Sequence, residues 1–357
     1  MQIEVIKNQN PKQKRTEALG FGKYFSDHML TMEYADGKWG APKIVPYAPF
    51  SLDPACSVLH YAQGIFEGAK AYKNEAGEVR IFRLKDNVDR LLDSAQRVCI
   101  PDFDKPTVLE GIKQLIMVDQ DWIPTGDGTA LYIRPSIVGT ENALGVKSAS
   151  SYLLFVILSP VGAYYENGMK PVKLFVEEEY VRAVKGGTGG HKVIGNYAAS
   201  LKAGDKAKAK GYDQVMWLDA FEHKYVEEVG AMNIFFVVKH KNGVKVLTPA
   251  LGGSILPGIT RRSIIHLLKE KGIEVEETCV SIKQMAKMAE NGKLLEVFGT
   301  GTAAVITPVG RFNYQGRDYK INGEVMGSLT TDLYNTLTGI QCGKVKDIHG
   351  WTEILNK

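Results

Sequence analysis

Glu227-Glu228-Val-Gly-Ala-Met-Asn233-Ile-Phe-Phe236 drives two adjacent acids into a strongly apolar stretch, and Ile255-Leu-Pro-Gly258-Ile-Thr-Arg261 follows downstream. Successive strand residues point to opposite faces, so this spacing sends one acid inward and the other outward. Ile234 to Val238, a turn at Asn242-Gly243 and Val244 to Leu247 predict a hairpin. Pro257-Gly258 then runs straight into an amphipathic helix from Thr260 to Lys271. That start leaves the amides of Ile259 and Thr260 at a positive helix end, ready for an anion. A plain loop ahead of a helix accounts for the same residues.

Around this stretch, strands and helices are interleaved. Upstream, Val172 to Glu177 and Val215 to Leu218 read as strands around a helix from Asn196 to Lys210. Downstream, Ser281 to Glu290 reads as a helix opened by the capping box Ser281-Ile-Lys-Gln284, and Leu329 to Ile340 as a final helix. Nearer the N-terminus, Ala69 to Leu84 predicts a hairpin, Asp86 to Val98 and Thr107 to Trp122 helices, and Ala130 to Val138 and Tyr152 to Leu158 buried strands. The mixture in both halves sets the fold class as α/β (α+β mixed). Gly162 to Pro171 has no periodicity and carries Gly, Asn and Pro. The expected division is a domain at 1–163, a linker at 164–174 and a larger domain at 175–357.

Composition narrows the function. Of 357 residues, 44% are hydrophobic and 24% charged, which excludes a disordered chain and supplies a sizeable core. A net charge of +4 is too small to argue for nucleic acid or a membrane surface as partner. Tyr152 to Leu158, the longest apolar run, is too short for a bilayer, and the N-terminus lacks the apolar stretch of a signal peptide. Cys56, Cys99, Cys279 and Cys342 form no CxxC pair, so no metal site is expected, and the chain is expected to be cytoplasmic with buried or inert cysteines.

Two glycine-rich segments bear on ligands. Gly299-Thr-Gly301-Thr-Ala-Ala304 formally matches a dinucleotide fingerprint, but Val305-Ile-Thr-Pro308 follows at once and breaks the helix that fingerprint needs. Lys192 lies between the Gly186 to Gly190 block and Gly195-Asn196-Tyr197. Glycines admit a close approach of backbone and ligand, and a lysine held there can be desolvated and form a Schiff base with a carbonyl. A carboxylate such as Glu228 can in turn pair with a protonated pyridine nitrogen; a solvated strand start is the plain alternative.

Together these residues resemble the class-IV pyridoxal-phosphate aminotransferases. Glu228-x-Gly-x-x-Asn233-Ile-Phe, Leu247-Thr248 and Leu256-Pro-Gly-Ile-Thr-Arg261 are similar to that family's signature, and Lys192 with Gly195-Asn196-Tyr197 to its cofactor-lysine segment. His60-Tyr-Ala-Gln-Gly-Ile-Phe-Glu-Gly68, Asn87-Val-Asp-Arg90, Leu131-Tyr-Ile-Arg-Pro135, Leu144-Gly-Val146 and Phe298-Gly-Thr-Gly-Thr302-Ala303 extend the resemblance over nearly the whole chain, closest to the branched-chain amino-acid aminotransferases.

The resemblance implies a small N-terminal domain, a larger pseudo-barrel domain, and pyridoxal 5′-phosphate as cofactor. It implies Lys192 as the catalytic amine, Glu228 at the ring nitrogen and Tyr197 at the ring hydroxyl. The phosphate would meet Arg90, Ile259, Thr260 and Thr302. An apolar pocket from Phe25, Tyr61, Phe66 and Tyr132 would take Leu, Ile or Val side chains. Arg134 and the Tyr hydroxyls would take the side-chain carboxylate of 2-oxoglutarate, and the Thr302 and Ala303 amides the α-carboxylate. Val146 would reach a neighbouring subunit's pocket, which implies a homodimer acting on small-molecule amino acids and 2-oxo acids. Animal members carry a redox CxxC where this chain has Ala304 and Thr307, so thiol control is not implied. A D-amino-acid aminotransferase or a 4-amino-4-deoxychorismate lyase of the same fold is the near alternative; a non-catalytic binding protein or a dehydrogenase is a more distant one.

Overall fold

The computed structural model describes residues 3–15, 18–162, 169–241 and 243–356. The chain divides into two compact units. The first holds Met1–Glu166, His191–Gly195 and Gly339–Lys357; the second holds Asn167–Gly190 and Asn196–Thr338. Each is built on a ten-stranded sheet among the described residues.

In the first unit the sheet is antiparallel except at one edge, where Glu4–Val5 pairs parallel to Lys43–Pro46. Its centre is the long pair Ala130–Gly139 and Tyr152–Val161, flanked by His28–Ala35 and by Ala69–Lys73. The helix Leu84–Arg97 buries Leu84, Val88, Leu91 and Ala95, one stripe at helical spacing. The helix Lys105–Val118 opens on Asp104, whose side chain accepts from the Thr107 amide at 2.8 Å, with Pro106 in the first turn. It ends before a short 3₁₀ turn, Gln120–Trp122, rather than continuing to Trp122.

The second sheet is mixed, with Val172–Glu177 parallel to both Gln214–Leu218 and Val305–Tyr314. Tyr225–Val229 and Asn233–His240 lie five places apart in its strand order, yet only three residues join them. A flat sheet would hold strands so placed about 24 Å apart, far beyond the reach of that connection. The sheet therefore curls back on itself, as a pseudo-barrel does. Leu294–Gly301 pairs antiparallel with Val305–Tyr314, so the dinucleotide-like glycines turn a hairpin and open no helix.

Several expectations are corrected. Gly339–Lys357 packs with the first unit because its strand Thr352–Ile354 pairs with Val79–Phe82, so the stretch 175–357 is not one body. Residues 164–168 of the 164–174 linker lie outside the described residues, and its last residues belong to the strand Val172–Glu177; Asn242 of the hairpin turn also lies outside them. The helix expected over 196–210 is broken into Gly195–Ala198 and Leu201–Ala209, because Ser200 Oγ donates back to the Tyr197 carbonyl at 2.7 Å. Ser281 precedes the helix Ile282–Glu290 without a side-chain cap; its backbone is instead committed to a strand paired with Tyr225. Among the described residues, the first sixty positions, where no element was expected, add four strands and the start of a helical turn, Ser57–Tyr61. No helix among the described residues is long and apolar enough to cross a membrane.

Candidate active site

In the first unit the candidate residues gather on the strands Gly64–Phe66, Ala69–Lys73 and Ala130–Gly139. Residues 191–195 lie along the first of these. The Phe66 amide donates to the Lys192 carbonyl at 3.1 Å, and the Ile194 amide to the Gly64 carbonyl at 3.0 Å. The Lys192 amide donates to Ser94 Oγ at 3.0 Å. The lysine is thus fixed through its backbone, and its Nζ stands 4.8 Å from the centre of the Phe66 ring.

Glu67, next in chain after Phe66, is fully buried. Arg90 meets it with two prongs, Nε to Oε1 at 2.6 Å and Nη2 to Oε2 at 3.0 Å, and Asn87 Nδ2 donates to Oε2 at 2.8 Å. Burial alone would raise this carboxyl. The Arg90 guanidinium, with Lys192 and Asn87, outweighs burial and holds it below the usual carboxylate range. A folded value below the unfolded one gives stability that is present above about pH 4.3 and lost as pH falls through the folded value. Glu67→Gln is therefore expected to lower unfolding free energy by about 3 kcal/mol at neutral pH, by stranding a buried arginine. The gap should close in acid, which chemical denaturation across pH would read.

Tyr132 and Arg134, two apart on a strand, share a face. Arg134 Nη2 donates to Tyr132 Oη at 2.9 Å, and its guanidinium lies 4.6 Å from the Phe66 ring centre. Its buried Nε has no hydrogen-bond partner among the described residues. Gly68 makes room for this arrangement: a Cβ there would lie 2.1 Å from Tyr132 Oη. Lys70 stands opposite Tyr132 in register, and burial pushes its ammonium down to about 8.

Phe25 is placed differently from the other pocket residues. It stacks on Tyr47 at 5.2 Å, and the ring packed on Tyr132 is that of Phe21. Tyr61 Oη donates to the Leu144 carbonyl, which ties it to the loop carrying Val146; Val146 itself is 84% exposed.

In the second unit both acids of Glu227-Glu228 are buried, contrary to the expected alternation, because the curled strand is covered on both faces. Glu228 Oε1 accepts from the Leu256 amide at 2.8 Å, and its Oε2 lies 3.2 Å from Arg182 Nε. Asn233 Nδ2 donates to the Leu256 carbonyl at 2.9 Å, holding the segment that leads to the helix Ile259–Glu270. No side chain caps that helix, so its first amides, Ile259 and Thr260, keep their anion-binding character. Thr302 and Ala303 sit in the three-residue turn between Gly301 and Val305, and Val305 holds φ +62°, a strained value for a β-branched residue. Tyr197 lies in the short helix Gly195–Ala198.

At Gly189 and Gly190 the close approach is made by the chain's own Ser254 and Gly253 carbonyls. A Cβ on Gly189 would lie 2.3 Å from the Ala183 Cβ and 2.4 Å from the Ser254 carbonyl oxygen, so this glycine serves close packing of backbone on backbone. Of the cysteines, only Cys56 is buried; Cys99 and Cys279 are exposed and Cys342 is half-buried, all without disulfides. Sequence reading missed Glu67, Arg182 and Ser254. Glu67 lay inside a quoted motif, whereas Arg182 and Ser254 meet Glu228 and Glu227 only through the fold.

Residues 64–312 match the family described as amino-transferase class IV. A probable branched-chain-amino-acid aminotransferase of Staphylococcus epidermidis is 54% identical over 352 residues, covering 98% of this chain and 97% of that protein. Branched-chain-amino-acid aminotransferase 2 of Bacillus subtilis is 52% identical over 353 residues, covering 99% and 96%. The solved structure of a branched-chain amino acid aminotransferase from Escherichia coli aligns with a TM-score of 0.76 at 27% identity, covering 92% of this chain and 99% of that one. The chain belongs to the class-IV aminotransferases.

Proposed function

We propose that this enzyme is a branched-chain amino-acid transaminase dependent on pyridoxal 5′-phosphate, moving the amino group of L-leucine, L-isoleucine or L-valine to 2-oxoglutarate. The observation that carries the reading is the face formed by Phe66, Tyr132 and Arg134, with Lys192 above Phe66. Such a face offers aromatic surface to a branched side chain and a guanidinium, with an unused buried Nε–H, to a side-chain carboxylate.

The donor set fits the cofactor. A primary amine, a buried carboxylate held by a cation and an amide, and an uncapped helix start match an aldehyde, a basic ring nitrogen and a phosphate. When bound, the cofactor supplies a carbonyl that takes up the amino group and a ring that accepts electrons. Lys192 Nζ would hold the aldehyde carbon and move the proton at the substrate Cα. Glu228 would hold the proton of the ring nitrogen, and Tyr197 would donate to the ring hydroxyl. The Ile259 and Thr260 amides, Thr302 and Arg90 would bind the phosphate, with Glu67 fixing the Arg90 guanidinium. The Thr302 and Ala303 amides would bind the α-carboxylate; Phe25 and Tyr61 would complete the apolar wall.

The assembly proposed is a homodimer, supported by the outward Val146, Leu144 and Leu59, exposed by 84%, 63% and 59%. The proposed location is the cytoplasm, in keeping with four unpaired cysteines.

The test is absorbance of the purified protein. The yellow form should convert on addition of L-leucine and return with 2-oxoglutarate. A protein that responds to D-alanine or aminodeoxychorismate and not to L-leucine overturns the substrate. Arg134→Leu should raise KM for 2-oxoglutarate by about 10- to 100-fold, the worth of hydrogen bonds to a charged group, and change KM for L-leucine far less. Equal losses for both substrates would remove Arg134 from the carboxylate role.

A further inference from the structure

The second unit carries a buried acid that the reaction above does not use. Glu227 is only 9% exposed, and its Oε1 accepts a hydrogen bond from Ser254 Oγ. Its Oε2 is buried with no hydrogen-bond partner among the described residues. An anionic oxygen left so would bear the full cost of lost hydration, whereas a neutral carboxylic acid bears far less. The charged groups around it are Arg182, Asp219 and the adjacent Glu228. Arg182 is the shared element: its Nε pairs with Glu228, and its Nη2 donates to the carbonyl of Ser254, the residue whose hydroxyl serves Glu227.

We propose that Glu227 is carried as the neutral acid at neutral pH and thereby leaves the Arg182 guanidinium to Glu228. Glu227 is a positioning residue, acting on its neighbour through a cation that two anions would have to divide. Burial pushes the Glu227 carboxyl up and Asp219 adds to this, against the opposing pulls of Ser254 and Arg182. When pH rises far enough to ionise Glu227, Arg182 is drawn between two carboxylates and its hold on Glu228 weakens. Two adjacent acids are in this way driven to different charge states by their surroundings.

The sign of the stability effect distinguishes this from a purely structural acid. A group whose folded value is raised contributes stability that is complete below its unfolded value, about pH 4.3, and lost as pH rises through the folded value. Glutamine does not titrate. Glu227→Gln should therefore melt at or above the wild-type temperature, with the gap widening as pH rises above the unfolded value. Infrared difference spectra of the full chain without cofactor should show the carbonyl stretch of a protonated acid that Glu227→Gln lacks. In the wild-type chain alone, the same band should fade as pH rises. With cofactor bound, kcat of the wild type should fall on the alkaline side along a limb absent from Glu227→Gln.

A variant destabilised by the same amount at every pH, or spectra without that acid band, overturns the protonation. A shared alkaline limb overturns the coupling to Glu228. That coupling rests on the role proposed for Glu228 above, whereas the melting and infrared results do not. A fully active Glu228→Gln enzyme would end that role and leave them standing.

Discussion

Lys192→Ala is expected to abolish transamination, lowering kcat by at least about 10⁴-fold, the upper range for a positioned acid–base group. The loss should be chemical and not structural. What places Lys192 is its backbone: its carbonyl accepts from Phe66, its amide donates to Ser94, and Ile194 beside it pairs with Gly64. Alanine keeps all three bonds. What disappears is Nζ above the Phe66 ring and its field on Glu67. Glu67 retains the two-pronged Arg90 partner and the Asn87 bond, so its charge stays compensated. The melting temperature should therefore stay within a few degrees of wild type, a shift worth about 1 kcal/mol or less. Single-turnover assays with L-leucine, beside a melt and a visible spectrum, make the check. A stable, colourless, inactive protein is the expected result; a variant that keeps turnover removes Lys192 from the chemistry.

The sequence was most informative where one local signal determines the outcome. The helices over 84–97, 105–118 and 259–270 follow from apolar stripes at helical spacing, and each lies within a few residues of its expected place. The Asn233–His240 and Gly243–Pro249 hairpin follows from two β-rich runs flanking a turn. Where partners lie far apart in the chain, the sequence was silent. The C-terminal segment joins the first sheet through a pairing between Thr352–Ile354 and Val79–Phe82 that neither strand advertises. Strand alternation predicted one solvated acid in Glu227-Glu228. It failed because a curled sheet covered by the Ser254 segment has no solvated face there. The glycines near Lys192 suggested room for a ligand, yet at Gly189 the neighbour that needs the room is the chain's own Ser254. Motif residues were legible; the charges that hold them, Glu67 for Arg90 and Arg182 for Glu228, required coordinates.

Glu228→Gln is the change in which site chemistry and charge balance meet. Glutamine's oxygen can still accept from the Leu256 amide, so local geometry should survive. The charge does not survive, and without it nothing at this position holds the proton of a ring nitrogen. We expect kcat to fall by about 10³-fold, near 4 kcal/mol of transition-state stabilisation, with a much smaller change in cofactor affinity. A fully active variant contradicts the assignment. The same substitution strands Arg182, whose side chain is 9% exposed. Losing the partner of a buried charge ordinarily costs about 3 kcal/mol or more. Here a second acid stands ready: with Glu228 neutralised, Glu227 can ionise and take up the guanidinium, recovering part of that loss. Glu227→Gln should then reverse its effect with the background, neutral or stabilising in the wild type and destabilising beside Glu228→Gln. A double-mutant cycle of unfolding free energies measures this directly, since residues that share one partner are those that fail additivity. Strict additivity would mean that Arg182 answers to Glu228 alone.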